Sequence, residues 1–357
     1  MNGKKWMTAV LAAALALTMA ACAVPAEAQT FENTVLNVYN WGEYIDKSVL
    51  TSFEKEYGVK VNYSLFSSNE EMYVKLQSGA AYDVIIPSDY MIERLMKEDR
   101  LQPLDRDVVV NTDQLSDAVR NLQFDPDNTY SMPYLWQNVG IVYDATKIDP
   151  EKMEEKGWDI FLDPELAGHA YMYDSQRDAF MIAFKALGYS MNTENEDEIQ
   201  AAYEWLLQMD NAIHPAYVTD EVIDGMANGE KWIALVYSGD AAYILSENED
   251  MAYCAPKQGT NICYDCMVIP ANAKNPELAN VFINYVLDYD NALAISEEVG
   301  YASPNQQVLD ELSGPGGDYE DNAAYLPRSG YEQDEIYHDN VTLMKELAEL
   351  WVRVVIH

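Results

Sequence analysis

Trp41, Glu43 and Tyr44 fall within one short run, Tyr39-Asn40-Trp41-Gly42-Glu43-Tyr44. Aromatic faces attract positive charge and a carboxylate pairs with an ammonium group, so such a cluster can receive an organic cation. The same residues could equally form a buried anchor, because aromatics pack more often than they bind. The turn alone leaves both readings open. The alternating run Val35-Leu36-Asn37-Val38 before it predicts a strand. Asp46 followed by Val49, Leu50 and Phe53 predicts a capped helix after it. The cluster therefore sits where a strand ends and a helix begins, the place at which open α/β sheets hold ligands.

Other chemistries find less support. None of the four histidines, His169, His214, His338 and His357, stands in H-E-x-x-H or at zinc spacing from cysteine. A G-x-S-x-G elbow, a P-loop and G-x-G-x-x-G are all missing from the sequence. Among 60 acidic residues no pair is singled out for glycosidase chemistry. Cys263-Tyr264-Asp265-Cys266 has the C-x-x-C spacing of a zinc or redox site. Within one strand, however, positions three apart point to opposite faces. Met251–Pro256 and Ile262–Ile269 instead predict a hairpin around Gln258-Gly259-Thr260 in which Cys254 faces Cys263. A structural disulfide or free thiols is the expectation, with neither metal nor cofactor.

The chain has 357 residues, enough for two domains, and carries 22 basic against 60 acidic residues for a net charge of −38. Such a surface repels nucleic acid and anionic substrates and steers cations inward. Solubility outside the cell accounts for most of these acids. Lys4 and Lys5 followed by the apolar Met7–Met19 form an export leader, too short to span as a permanent helix. Two cleavage points compete. Ala26-Glu27-Ala28 is a small-x-small site, whereas Ala20-Ala21-Cys22 resembles a lipoprotein box, with Met19 where leucine is usual. The second is favoured, which removes residues 1–21 and puts lipid on Cys22.

The elements that must position the cluster follow in order. Val59–Leu65 predicts a second strand, Ser67-Ser68-Asn69 caps for the next helix, and Tyr82–Ile86 a third strand leading into Pro87-Ser88-Asp89-Tyr90. Three strand-to-helix turns then bring Trp41, Ser67 and Ser88/Tyr90 to one sheet edge. Ser131–Trp136 reads as an irregular aromatic segment before a strand over Gln137–Tyr143. A second α/β region follows, with strands at Ala170–Tyr173 and Trp232–Tyr237 and helices through Phe180–Phe184 and Ile199–Met209. Asp174 and Asp240, near helix starts, have an ordinary reading as caps or dipole partners. Ser313–Arg328 reads as a mobile or decorating loop, and Leu343, Leu347, Leu350 and Trp351 as a helix docking on a domain.

Several linked blocks resemble the substrate-binding proteins of bacterial spermidine/putrescine ABC importers. They are Tyr39–Tyr44, Ser68–Tyr73 through Leu76, Tyr82–Tyr90, Ser131–Trp136, Ile269–Asn275 and Gly300–Asn305. Their order and spacing agree from about Val35 to at least Asn305. The resemblance implies an α/β, two-lobed periplasmic-binding-protein-like fold with a ligand cleft between the lobes. It implies a first lobe of residues 32–138 and 264–308 and a second of 139–263 and 309–357, with hinges near Asn138 and Tyr264. It further implies polyamine binding outside the cell, delivery to permease subunits in the membrane, no enzymatic activity, no nucleic-acid partner, and a monomer.

Carried over by position, the aromatic walls fall on Trp41, Tyr44, Tyr90, Tyr237 and Tyr301, with a polar contact at Ser88. Carboxylates fall on Asp178 and Asp265, and Asp240 matches an acid of putrescine-preferring members. Gly42 and Glu43 share the opening signature, with only indirect contact expected for Glu43. Ser175, Cys263 and Tyr237 depart from the spermidine pattern, which has Asp, Trp and Trp there. This shifts the expected balance toward a shorter diamine. Tyr337 is the candidate C-terminal contact. A different cationic solute, a secreted carboxylate-dependent enzyme and a purely structural surface protein are the competing readings.

Overall fold

The computed structural model describes residues 31–356, so the leader, both cleavage points and Cys22 lie outside the described residues. The first stretch folds with the predicted alternation. Strand β1 (Val35–Trp41) leads to helix α1 (Lys47–Tyr57), and β2 (Lys60–Phe66) to α2 (Asn69–Gln77). A two-residue β3 (Val84–Ile85) then precedes α3 (Asp89–Lys97), and β4 (Leu101–Gln102) closes the stretch. Both β2 and β3 pair in parallel with β1. The Asp46 carboxylate caps α1, accepting the Ser48 N–H at 2.7 Å, and Gly58 ends it at φ 67°. Strand β3 is shorter than the sequence suggests because the Asp83 side chain, not the ladder, takes the neighbouring N–H groups. Its carboxylate accepts from Asn37 at 2.8 Å and from Lys274 and Asn275 at 2.9 and 2.8 Å.

The aromatic segment Ser131–Trp136 is not irregular. It is the first half of a 14-residue strand β5 (Ser131–Asp144). Its proline misleads, since Pro133 cannot donate to a ladder. The structure tolerates it at a register shift, where the partner strand slips between Asp265 and Cys266.

Beyond β5 come α4 (Pro150–Lys156), β6 (Ala170–Tyr173), α5 (Gln176–Ala186), α6 (Glu196–Ile213), β7 (Ala216–Val218) and α7 (Glu221–Ala227). Then follow β8 (Ile233–Tyr237), α8 (Ser238–Glu247), β9 (Met251–Cys254) and β10 (Ile262–Pro270). The strands are hydrogen-bonded in the order β2-β1-β3-β10-β5-β8-β6-β7, with β4 on β10 and β9 on β5. The two long central strands join the halves of this sheet. The early part of β5, through Asn138, pairs with β10, and from Val139 onward it pairs with β8. The changeover on β5 falls between Asn138 and Val139.

The cysteine hairpin does not form. Strand β9 pairs with β5 rather than β10, which sets Cys254 opposite Ile141 and Cys263 opposite Gln137. Cys254, Cys263 and Cys266 are free thiols.

After β10 the chain returns to the first half. Helices α9 (Pro276–Val286) and α10 (Tyr289–Val299) pack against α1, and α11 (Gln306–Ser313) against α10. The last helix, α12 (Val341–Val355), packs on α5 and α6 in the second half, burying Leu343, Leu347, Trp351 and Val354. The loop after α11 is not merely decorating. Tyr325 is fully buried, stacks on Tyr319 at 4.2 Å and meets the Ser296 hydroxyl at 2.9 Å.

Candidate ligand-binding cleft

Asp265 lies on β10 just before the register shift, and the isolated bridge between Ser88 and Asp265 brings the start of α3 against it. The Ser88 hydroxyl donates to one carboxylate oxygen at 2.7 Å and the Tyr44 hydroxyl to the other at 2.8 Å. No base pairs with this carboxylate. Burial, with 4% of the residue exposed, pushes Asp265 up to about 6 against the two hydroxyl bonds that lower it. Asn69 at the start of α2 completes the support, giving its amide to the Ser88 and Tyr90 hydroxyls, each at 3.0 Å.

Two more acids come from the second half. Asp178, buried in the first turn of α5, accepts the Tyr237 hydroxyl at 2.8 Å, and desolvation holds it above the usual carboxylate range. Ser175 is the helix cap here, accepting the Asp178 N–H at 3.4 Å. Asp174 does not cap. It is exposed and receives the Trp351 indole N–H at 3.0 Å. Asp240, in the first turn of α8, turns its carboxylate to two tyrosines, with Tyr301 donating at 3.0 Å and Tyr173 at 3.2 Å. Desolvation pushes it to about 6.

The Tyr301 contact crosses from the first half to the second and depends on a glycine. A Cβ on Gly239 would lie 2.1 Å from the Tyr301 ring. Tyr301 also meets Tyr44 edge-on at 5.4 Å, which links the Asp265 and Asp240 clusters.

The other expected positions divide. Trp41 is half-buried at the end of β1. Its indole N–H donates to the Ile86 carbonyl at 2.9 Å and its ring leans on Phe66 at 4.5 Å, so it is an anchor with part of its surface exposed. Tyr90 and Tyr337 meet at 6.4 Å with Arg177 between them. Cys263 is half-buried, its thiol held well above the ordinary value by burial and then by Asp89 and Asp265. Gly42 and Glu43 are exposed, with Glu43 at φ 45°, and they stand apart from the acids. Ser67 also points elsewhere, donating to Glu71 at 2.6 Å, while Ser68 caps α2.

Sequence reasoning missed Asn69, Tyr173, Arg177 and Asp89. Asn69 lies inside the block Ser68–Tyr73. Arg177 immediately precedes Asp178 in a chain with only 22 basic residues. Asp89 is fully buried and accepts the N–H groups of Tyr90 and Tyr264 at 2.7 and 3.1 Å, yet burial still pushes it to about 8. Nothing in its local sequence distinguishes it from an ordinary first-turn acid.

Three carboxylates held by hydroxyls and flanked by tyrosine rings form a cluster whose chemistry suits positive charge and methylene surface. Among the described residues no group of His, Cys, Asp and Glu is arranged to hold a metal ion. Two α/β halves joined by crossing strands, with ligand-type side chains converging between them, define a solute-binding receptor.

Comparison with known proteins reaches the same class. A model of the bacterial extracellular solute-binding protein family matches residues 48–327, and the chain belongs to that family. The spermidine/putrescine-binding periplasmic protein of Salmonella typhimurium is 37% identical over 87% of each chain. The putrescine-binding periplasmic protein PotF of Escherichia coli is 31% identical, also over 87% of each. Among solved structures, the spermidine/putrescine ABC transporter substrate-binding protein PotD of Streptococcus pneumoniae superposes with a TM-score of 0.78 at 34% identity. That match covers 91% of this chain and 99% of PotD.

Proposed function

We propose that this protein binds a polyamine, putrescine or spermidine, outside the cytoplasm and delivers it to the permease subunits of an ABC importer. The observation that carries the reading is the set of carboxylates Asp178, Asp240 and Asp265, each turned toward tyrosine hydroxyls rather than toward a base. A polyamine is a chain of methylenes bearing ammonium groups at intervals. In this reading the three acids take the ammonium groups, while Trp41, Tyr44, Tyr237 and Tyr301 cover the methylenes and Ser88 orients Asp265. Cys263, Ser175 and Tyr337 line the remainder, with Tyr90 farther along. Charged hydrogen bonds contribute about 1.5–3 kcal/mol each. Cation–π contacts add about 0.5–2 kcal/mol each. A few of each offset desolvation to leave about −8 kcal/mol, a micromolar affinity.

The lobes assigned here are residues 32–138 with 264–308 and residues 139–263 with 309–357, closing on ligand about β5 and β10. The protein acts as a monomer and is exported. Cleavage after Ala21 with lipid on Cys22 anchors it to the outer face of the cytoplasmic membrane. Binding without turnover is favoured because the cleft acids are held by tyrosines, and no nucleophile with a paired base stands among them.

The test is the melting temperature of the mature protein with and without putrescine or spermidine. Either polyamine raises it, and Asp265→Ala removes the rise. No response to millimolar amounts of both overturns the assignment. A mass spectrum of the native protein reads lipid on Cys22 directly.

A further inference from the structure

Arg177 is a cation that the protein has placed inside its own cation site. It occupies the first turn of α5 beside Asp178, and its side chain is 13% exposed. The guanidinium carbon stands 3.8 Å from the centroid of the Tyr90 ring and 5.1 Å from that of Tyr337. Those rings meet at 84°, and the Tyr337 hydroxyl donates to the Arg177 carbonyl at 2.8 Å, so they form a corner closed on the arginine's own backbone. One terminal nitrogen reaches Glu70 at 3.1 Å. The other, Nη1, is buried with no partner. The corner is continuous with the cleft. Asn69 bonds both the Tyr90 hydroxyl and Ser88, and Ser88 bonds Asp265.

Two aromatic faces and a carboxylate are what a terminal ammonium group requires. Here a guanidinium already fills that place. The orphaned Nη1 indicates that the corner does not satisfy the arginine fully, as it would if it were built only as a structural ion pair. We propose that Arg177 is a built-in stand-in for the far ammonium group of a longer polyamine and so sets the ligand-length preference of the cleft.

In this reading a diamine uses Asp265 together with Asp178 or Asp240 and leaves the corner unused. A triamine carries one more aminopropyl arm, which meets an occupied box and a like charge. The discrimination is thus a repulsive element, as specificity commonly requires. It rests on the polyamine reading above.

The experiment is calorimetric titration of the full mature protein with putrescine and with spermidine, for wild type, Arg177→Ala, Arg177→Gln and Arg177→Lys. Melting of each ligand-free protein confirms that it is folded, and the glutamine variant serves should alanine collapse the corner. The expected result is a rise of about tenfold or more in the spermidine-to-putrescine affinity ratio for the uncharged variants, the size of one desolvated cation–π contact. Arg177→Lys, which keeps a cation in the box, holds the ratio near wild type. Equal weakening of both ligands in the uncharged variants makes Arg177 a mere clasp between the halves and overturns the proposal, as does an unmoved ratio. A wild-type protein that binds neither polyamine overturns the underlying reading and this one with it. Binding of both with an unmoved ratio overturns this one alone.

Discussion

Replacing Asp265 by asparagine should weaken ligand binding and strengthen the empty protein. Asp265 is 4% exposed, and burial pushes its carboxyl group up to about 6 from the ordinary 3.8. A shift of about two units at about 1.4 kcal/mol each means that keeping it charged at neutral pH costs the ligand-free fold about 3 kcal/mol. Asparagine removes that cost. It accepts from only one of the Tyr44 and Ser88 hydroxyls, and the lost bond gives back about 1–1.5 kcal/mol. The net gain is about 1.5–2 kcal/mol, a rise of a few degrees in melting temperature. The folded-state pKa is raised, so the stabilisation linked to the bound proton is complete below the unfolded value near 4. It is lost as pH rises through about 6. The advantage of the variant is therefore largest at pH 8 and disappears near pH 4. Binding moves the other way: losing a buried charged partner costs about 2–5 kcal/mol, a drop in affinity of about thirtyfold or more. Scanning calorimetry at pH 8 and pH 4.5, with and without putrescine, reads both effects. A variant less stable than wild type at pH 8, or one that keeps the ligand-induced shift, refutes the reasoning.

Other expectations follow from the same geometry. With Asp240 and Asp265 both at about 6, each must release its proton to pair with a cation. Affinity measured by titration should be flat above pH 7 and fall below pH 6, approaching two decades per unit, and Asp240→Asn should reduce that slope to about one. Gly239→Ala sets a methyl against the Tyr301 ring at 2.1 Å, so ligand affinity should fall about tenfold or more while circular dichroism keeps the wild-type helix content. Thiol titration of the native protein at pH 7 should be slow at Cys254, Cys263 and Cys266 alike, because burial holds all three thiols above the ordinary range, and polyamine should slow the half-buried Cys263 further.

The fold was readable wherever one local signal decided the outcome. Asp46 and Ser68 each cap a helix because an oxygen at that spacing meets an orphan N–H, and the apolar spacing of Leu343 to Trp351 gives a helix with one buried face. The reading failed where pairing is settled by distant strands. Ser131–Trp136 looks irregular until β10 is present to accept Pro133 at a register shift. Cys254 and Cys263 face each other only if β9 pairs with its neighbour in sequence, whereas β5 takes both β9 and β10. The site divides the same way. Asp178, Asp240, Asp265, Tyr44, Tyr237 and Tyr301 were found through the family blocks and do converge. Of the two acids read as caps or dipole partners, Asp240 does lie in the first turn of α8, but neither caps its helix: Trp351 bonds Asp174, and Tyr173 and Tyr301 bond Asp240, from elements far along the chain.

The use of tyrosine hydroxyls, not lysine or arginine, to hold the cleft acids has a physical consequence. A hydroxyl fixes the direction of a carboxylate and satisfies a lone pair but leaves its charge uncompensated. Burial accordingly raises Asp240 and Asp265 with no cation to offset it, while Asp178, also raised by burial, is partly relieved by the neighbouring Arg177 guanidinium. On the proposed reading, a dication held between the two halves would offset that burial cost at more than one acid. Tyr301 reaches across to Asp240, and Tyr44 touches both the Tyr301 ring and Asp265, so the two acids are joined through one pair of tyrosines. On the proposed reading, binding and closure would be one event, driven by the buried acids that the ligand's charges offset.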